Sequence, residues 1–505
     1  MEKRVVLAIV LSTIILIAWS AFMPKPVGPK VPIQESVVTQ AQEVRVPVGK
    51  PPIFDKEPDL SSLASFNQEN MEVVFVETQA AIKEVIFKQY QSSKFPLKLA
   101  FNLNDNNLNF KKVNFSKTSA SFVHKDNTKE IVKVFNFAKA ENYTIDLEIN
   151  VRNMSNLPLQ WDLPLSLGTI NFKTDPEQAR YRNVAALEQG KIIQINPKKN
   201  TILNQVKFAS IRDRYFCNIV EPECATKTLY VNKINANESE INFVCQASIV
   251  APGATLVQKY RIYLGPEDLR IIKNANFTWA GVINYGFFDI ISQVLLKLLE
   301  VFYNLVHSWG WAIIILSIAI YLILFPLTLK QMRSMKEMQA LQPKIAELKK
   351  LYKDNPQKLH KETLELYKEH KVNPFGGCLP LLLQMPIFFA LYQALIRSIA
   401  LKGSSFYWIK DLSEPDRMPL PMTLPVIGNT INILPILMAI LMFFQQKASL
   451  ASTSSEYAEQ QKIMLFVMPL MFGFIFYTMP AGLVLYWFVN SFLMAIYQFR
   501  MNRVK

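Results

Sequence analysis

Asn373–Tyr392 reads NPFGGCLPLLLQMPIFFALY, a loop that runs into an apolar segment while carrying proline and glutamine with it. A segment that only anchored a chain in lipid would need apolar side chains alone. Here the turn formers Asn373-Pro374 and Gly376-Gly377 precede two prolines, Pro380 and Pro386, and an amide, Gln384. Polar groups at membrane depth are costly and face protein or a wet cavity. The segment therefore lines something, and what it lines points to the function.

Outward from that segment the chain divides by polarity. Its 505 residues leave room for two or three domains. Residues 24–280 read as soluble, whereas 311–499 is mostly apolar runs. Residues 5–23 (VVLAIVLSTIILIAWSAFM) follow Lys3 and Arg4 and are long enough to span a bilayer. No small-x-small cleavage site follows, and Trp19 and Pro24 mark an interface, so 1–23 reads as a retained anchor. Runs at about 311–329, 377–397, 425–445, 463–479 and 482–499 add five more spans. The fold class expected is a multi-domain membrane protein: a six-span α-helical bundle, five helices of core within 307–505 plus the anchor, with an exported all-β domain.

That exported domain is expected over 61–280, after a Pro- and Val-rich flexible tether at 24–60. Tyr143–Val151 alternates apolar and polar residues cleanly, and Glu240–Val250 and Thr255–Leu264 do so less cleanly. Many short strands between Asn, Lys and Pro turns predict an antiparallel sandwich. Cys217, Cys224 and Cys245 lie here, which allows at most one internal pair and leaves one thiol. Residues 283–306 carry Asp289, Gln293, Lys297, Glu300 and Asn304 as a polar stripe on an apolar helix, the pattern of a helix lying in the membrane interface.

The net charge of +15 sits largely in loops of the apolar region. Residues 330–373 hold 11 Lys/Arg against 6 Asp/Glu, while 398–423 is balanced. The positive-inside rule puts the first in the cytoplasm and the second outside, with both termini cytoplasmic. Met335, Met338, Leu341, Ile345, Leu348 and Tyr352, then Leu359, Thr363, Leu366 and His370, predict a cytoplasmic helical hairpin broken at Asp354-Asn355-Pro356 and kinked at Pro343. Its basic surface suits anionic headgroups or ribosomal RNA.

Counted from the cytoplasmic ends, Tyr321 and Gln384 lie roughly 12 Å deep, Asn490 about 15 Å and Ser317 about 18 Å. Singly, such residues read as hydrogen-bonding glue between helices. Together they favour a water-accessible recess open to the cytoplasm. Methionines around the later spans (Met438, Met442, Met464, Met468, Met471) fit either an adaptable apolar surface or gap filling. No metal spacing, catalytic triad, phosphate loop or paired carboxylates stand out, and the four histidines are dispersed, so neither an enzyme, a metal site nor a cofactor is expected. A transporter would show inverted repeats and a midplane ion site, and neither is found. An envelope scaffold, with the β domain as the working part, is the other alternative.

The pattern resembles the YidC family of membrane protein insertases, in its long form with an exported domain. The resemblance is carried by Tyr285-Gly286, Ile291-Ser292-Gln293, Lys297-Leu298-Leu299 and Trp309-Gly310-Trp311. Phe325-Pro326-Leu327-Thr328, Leu341-Gln342-Pro343-Lys344, Lys371–Cys378, Gln384-Met385-Pro386-Ile387-Phe388 and Gly482–Trp487 continue it, so that it covers nearly all of 280–500. Leu264-Gly265-Pro266-Glu267 is a looser match. The resemblance implies a five-helix core around a hydrophilic groove and a periplasmic β-supersandwich similar to sugar-mutarotase folds. It implies insertion of nascent membrane proteins into the bacterial inner membrane, alone or with the Sec translocon, and help with their folding. Ribosomes or targeting factors at the hairpin and membrane lipids are the further partners. The groove residues would be Ser317, Tyr321, Gln384, Tyr486, Trp487 and Asn490, Tyr486 and Trp487 matching an aromatic pair that meets substrate. Tyr321 departs from the family, which usually places an arginine there. Arg397 does not replace it, lying roughly 30 Å up, near the outer face.

Overall fold

The computed structural model describes residues 62–503 except 106, 138–141, 174–175, 225–226, 354, 371, 373–378, 425–427 and 451–457. The expected anchor 1–23, the tether 24–60 and the turn Asn373–Gly377 lie outside the described residues.

The first part of the described chain is all-β. It runs β1 (Leu63–Asn67), β2 (Met71–Val76), β3 (Ala81–Phe87), β4 (Ser93–Ala100), β5 (Lys111–Phe115), β6 (Ser119–Lys125) and β7 (Lys129–Asn136). Next come β8 (Thr144–Asn153), β9 (Leu159–Trp161), β10 (Leu165–Asn171), β11 (Asn183–Glu188), β12 (Lys191–Ile195) and β13 (Thr201–Asn204). The series continues with β14 (Val206–Arg212), β15 (Phe216–Pro222), β16 (Lys227–Lys233), β17 (Glu238–Cys245), β18 (Ser248–Val250) and β19 (Thr255–Pro266).

One sheet has nine strands in the order β12-β11-β14-β15-β19-β8-β7-β6-β5. The opposing layer is two four-stranded sheets, β1-β2-β3-β4 and β10-β17-β16-β13. They join where the Phe101 amide donates to the Ser166 carbonyl (2.6 Å) and the Ser166 amide donates to the Asn102 carbonyl (2.9 Å). Gly168 permits this approach: it holds φ +131°, and a Cβ there would lie 2.7 Å from the Leu97 carbonyl oxygen.

Strand β8 follows its sequence pattern, with Ile145, Leu147, Ile149 and Val151 buried and Asp146, Glu148 and Asn150 less so. Each such burial contributes about 2 kcal/mol. The strand expected over Glu240–Val250 is instead two, β17 and β18. Strand β17 is covered on both faces, which weakens alternation. Its Glu240 and Asn242 side chains both accept from Asn104 Nδ2, at 3.3 and 3.1 Å. In the same domain Lys133 is fully buried, donating to the Ala80 carbonyl (2.7 Å) and the Phe101 carbonyl, and burial pushes its ammonium down to about 7.

The rest is mainly helical: α1 (Leu269–Ala275), α2 (Asp289–Val306), α3 (Trp309–Leu351), α4 (Pro356–Glu369) and α5 (Leu379–Arg397). A hairpin of β20 (Met418–Leu424) and β21 (Gly428–Ile431) precedes α6 (Ile433–Leu450), α7 (Ala458–Phe476) and α8 (Ala481–Arg503). Helix α2 turns Ser292, Leu295 and Leu299 inward, with Ser292 Oγ donating to the Ala390 carbonyl at 2.9 Å. Its Glu300 meets Arg270 at 3.5 Å, while Ile290, Val294, Val301 and Leu305 form an exposed apolar stripe.

Two expectations are corrected. The span at 311–329 and the first hairpin arm are one 43-residue helix, α3, which runs through Pro326 and Pro343. At 1.5 Å per residue it is about 65 Å long, twice a bilayer core. Strong helix formers on both sides of each proline carry it past the lost amide. The run expected from 425 starts as a helix only at Ile433, because Pro419 and Pro421 suit the β-hairpin and Asp416 caps the helix, accepting from the Leu434 amide at 2.6 Å.

Two described helices are long and apolar enough to cross a membrane, Trp309–Met338 and Ala481–Arg500, with shorter apolar stretches at Ile433–Lys447 and Leu465–Phe476. Leu322, Ile323, Ile440, Leu470, Phe474 and Phe492 are exposed on these helices, a lipid-facing pattern.

Cys224 and Cys245 form a disulfide and Cys217 is a buried free thiol. Closing a loop of sequence separation 21 constrains the unfolded chain by about 3 kcal/mol. The double variant Cys224→Ser/Cys245→Ser should therefore lower the stability of the β domain by about that amount, read as an earlier denaturant midpoint in its tryptophan fluorescence; an unchanged midpoint contradicts it.

Candidate functional site

Helices α3, α5 and α8 supply the expected groove residues. Tyr486 is buried between α8 and α5, where Gln384 Nε2 donates to its hydroxyl at 3.4 Å. One turn on, Asn490 Nδ2 donates to the Tyr486 carbonyl at 2.9 Å. Three expected residues thus lie together, Gln384 bonding the Tyr486 hydroxyl and Asn490 its main chain. Trp487, one residue from Tyr486, points to a different face and sits among Phe388 (5.3 Å), Phe476 (5.4 Å) and Phe472 (6.0 Å).

Ser317 is fully buried and its hydroxyl donates to the Ile313 carbonyl of its own helix at 2.7 Å. Back-bonding of this kind satisfies a hydroxyl without a partner helix. Tyr321 is half-buried, 5.8 Å from the Phe325 ring, which meets Tyr497 edge-on at 5.1 Å. Its hydroxyl is buried with no hydrogen-bond partner among the described residues. A buried unpaired hydroxyl costs about 1–3 kcal/mol.

Helices α3 and α4 pack at Met338, Leu341, Ile345 and Leu366, residues of the expected hairpin seam, together with Tyr367 and Val372, which the spacing did not single out. His370 Nε2 lies 2.9 Å from Lys344 Nζ, and His124 Nδ1 contacts the Asn109 backbone. Among the described residues no group of three or more His, Cys, Asp or Glu is arranged to hold a metal.

Sequence reasoning missed the junction of the two parts. Arg214, in the turn between β14 and β15, donates to the Ile396 carbonyl (2.8 Å), the Ser413 carbonyl (2.6 Å) and Glu414 Oε1 (2.6 Å). The Tyr215 and Ser413 hydroxyls are 3.0 Å apart, and Lys402 lies 4.6 Å from the Tyr215 ring. The same loop caps α8: the Ala481 amide donates to the Glu414 carbonyl and the Gly482 amide to the Leu412 carbonyl. Burial pushes the Asp213 carboxyl up to about 6, against the pull of two backbone amides, and burial lowers Lys402. In the sequence this segment shows only as a charged turn, Arg212-Asp213-Arg214, with nothing local that names its distant partners.

Residues 301–505 match the family model of the 60Kd inner membrane protein, and residues 92–298 match that of the YidC periplasmic domain. The chain is 31% identical to the membrane protein insertase YidC of Pelobacter propionicus over 100% of this chain and 99% of that one. The chain belongs to the YidC family of membrane protein insertases. A second relative of that name, from Syntrophus aciditrophicus, is 30% identical with both chains fully covered. Members of this family are bacterial inner-membrane proteins and non-catalytic insertases, and the β-sandwich is their periplasmic domain. A solved YidC from Thermotoga maritima covers 86% of this chain and 99% of its own, at 15% identity and a TM-score of 0.32. A galactose mutarotase related enzyme from Lactobacillus acidophilus covers 40% of this chain, at 12% identity and a TM-score of 0.31.

Stability and function should separate at this site. Gln384→Leu loses one long interhelical hydrogen bond, so a cost of about 0.6 kcal/mol is expected in detergent unfolding, whereas Trp487→Ala, which empties an aromatic cluster, should cost about 3 kcal/mol. Equal costs would contradict the packing described. Arg214→Ala should loosen the cap of α8: amide exchange at Ala481 and Gly482 should quicken about tenfold, equivalent to about 1.4 kcal/mol, and unaltered protection there would show that the junction does not support α8.

Proposed function

We propose that this chain inserts newly made hydrophobic segments into the inner membrane and assists their folding through a hydrophilic groove open to the cytoplasm. The observation that carries this reading is the group Gln384, Tyr486 and Asn490 inside an apolar bundle, together with a Tyr321 hydroxyl on α3 that has no partner among the described residues. Ser317, Tyr321, Gln384, Tyr486, Trp487 and Asn490 are the groove residues of this proposal. Six spans cross the membrane, the anchor 1–23 and five in the core 307–505, with both termini cytoplasmic. The linker 24–60 and the β domain 61–280 are periplasmic, and 283–306 lies in the interface.

The physics is desolvation. A polar tail crossing lipid loses its water, and hydroxyl, amide and ordered-water partners part-way across lower that cost. The client's apolar helix leaves along the aromatic face of Trp487, Phe388 and Phe472 into lipid, whose apolar interior supplies the driving force. The basic hairpin 330–373 receives ribosomes or targeting factors, and the Sec translocon delivers some clients.

Photocrosslinking amino acids at Tyr321, Trp487 and Asn490, which are half-buried, should capture a nascent single-span protein; no capture at any of them would sink the groove. Tyr321→Arg tests the unusual residue. A charge pair at about 4 Å in a wet groove gains ~1 kcal/mol, so insertion of acidic-tailed clients should rise about fivefold in a pulse-chase protease-protection assay. An unchanged rate would show that the groove works through neutral polar partners alone.

A further inference from the structure

A polar cavity lies where the β domain meets the loops before α6 and after α7. It holds about 350 Å³ and is lined by Arg180, Arg214 and Arg417, with Glu414, Thr430 and Thr478 among the other residues. Three guanidinium groups face one carboxylate. Glu414 is already engaged, by Arg214 at 2.6 Å and more loosely by Arg417 at 3.9 Å. Arg180 is exposed and its guanidinium stacks 4.9 Å from the Tyr181 ring. Arg214 and Arg397 approach the same ring, at 5.6 and 5.8 Å. Behind the cavity wall at Ile396, Arg397 keeps its Nε and Nη1 buried with no hydrogen-bond partner among the described residues. Within the cavity lining three guanidinium groups meet a single carboxylate, that of Glu414.

A planar guanidinium fork matches phosphate oxygens, and threonine hydroxyls supply further donors. The cavity also adjoins apolar surface. Tyr477 and Thr478 line it immediately after α7, and along α7 Phe474, Leu470 and Phe466 are exposed at 82, 75 and 61%. Spaced four residues apart, they form one stripe of about 12 Å running away from the cationic mouth. A polar anion seat continued by an apolar stripe fits an amphipathic ligand better than an inorganic ion.

We infer that this cavity is a binding site for the phosphate headgroup of an anionic phospholipid in the outer leaflet, its acyl chains lying on the Phe466–Phe474 face of α7. The site fixes the β domain against the bilayer surface, since its arginines come from both: Arg180 and Arg214 from the β domain, Arg417 from the loop before α6. The leaflet assignment rests on the topology proposed above, whereas the headgroup chemistry does not.

The test is native mass spectrometry of the full chain in detergent, titrated with phosphatidylglycerol, phosphatidylcholine or inorganic phosphate. Wild type should retain one phosphatidylglycerol at least about tenfold more tightly than phosphatidylcholine. Arg180→Gln/Arg417→Gln, two partly exposed substitutions that leave Arg214 in place, should abolish that preference, and Arg180→Lys/Arg417→Lys should keep part of it. Lys111→Gln/Lys117→Gln, two exposed lysines at the β5–β6 end of the β domain, should bind as wild type does. Equal retention by wild type and the glutamine variant overturns the inference. So does inorganic phosphate displacing the lipid at similar concentrations, which would make this a free-anion site. Because binding in detergent needs neither insertion activity nor orientation, a negative result leaves the insertase reading intact.

Discussion

The Arg214 guanidinium holds the two halves of this protein in register. It donates to two main-chain carbonyls and one carboxylate, all at about 200 residues' separation in sequence. Removing a guanidinium from water is costly, and only well-placed acceptors offset the penalty. That demand makes the contact selective: the turn carrying Arg214 fits the loop at Ser413–Glu414 in one position. The loop in turn supplies carbonyls to the first amides of α8, which would otherwise be orphaned at the helix start. Helix α8 carries Tyr486, Trp487 and Asn490. The placement of the candidate groove therefore depends on a salt-bridged turn in a domain that takes no direct part in it.

Within the bundle, polar side chains resolve their hydrogen-bonding needs in three different ways. Ser317 bonds to its own helix, Gln384 and Tyr486 bond across helices, and the Tyr321 hydroxyl bonds to no described residue. Depth alone made these residues look equivalent. Their partners make them different: Ser317 bends back on α3, the Gln384–Tyr486 pair joins α5 to α8, and Tyr321 keeps an acceptor and donor in reserve. In the proposed groove, Tyr321 offers a neutral hydroxyl, not the permanent charge of the arginine that the family resemblance implies there.

The legible parts of the chain were those whose signal is local. Alternation over Ile145, Leu147, Ile149 and Val151 named β8, because period two reports a face buried on one side. The heptad-like spacing of Leu341 and Ile345 named the hairpin seam, and the exposed apolar stripe of α2 agrees with its amphipathic pattern. Pattern failed where context ruled. Strand β17 is covered on both faces and loses its alternation, and the span read at 311–329 continues into the first hairpin arm as one helix, α3.

The sequence by itself determined which segments are apolar, which polar residues enter them, where charge accumulates and which family motifs are present, because composition and periodicity belong to neighbouring residues. Only the tertiary structure decided that Cys224 pairs with Cys245 and leaves Cys217 free. It also decided that Gln384 meets Tyr486, and that Arg214 joins Arg180 and Arg417 around one cavity. These outcomes turn on distances of a few ångströms between residues tens to hundreds of positions apart. No local period encodes such distances; they follow from how sheets and helices pack once both have formed.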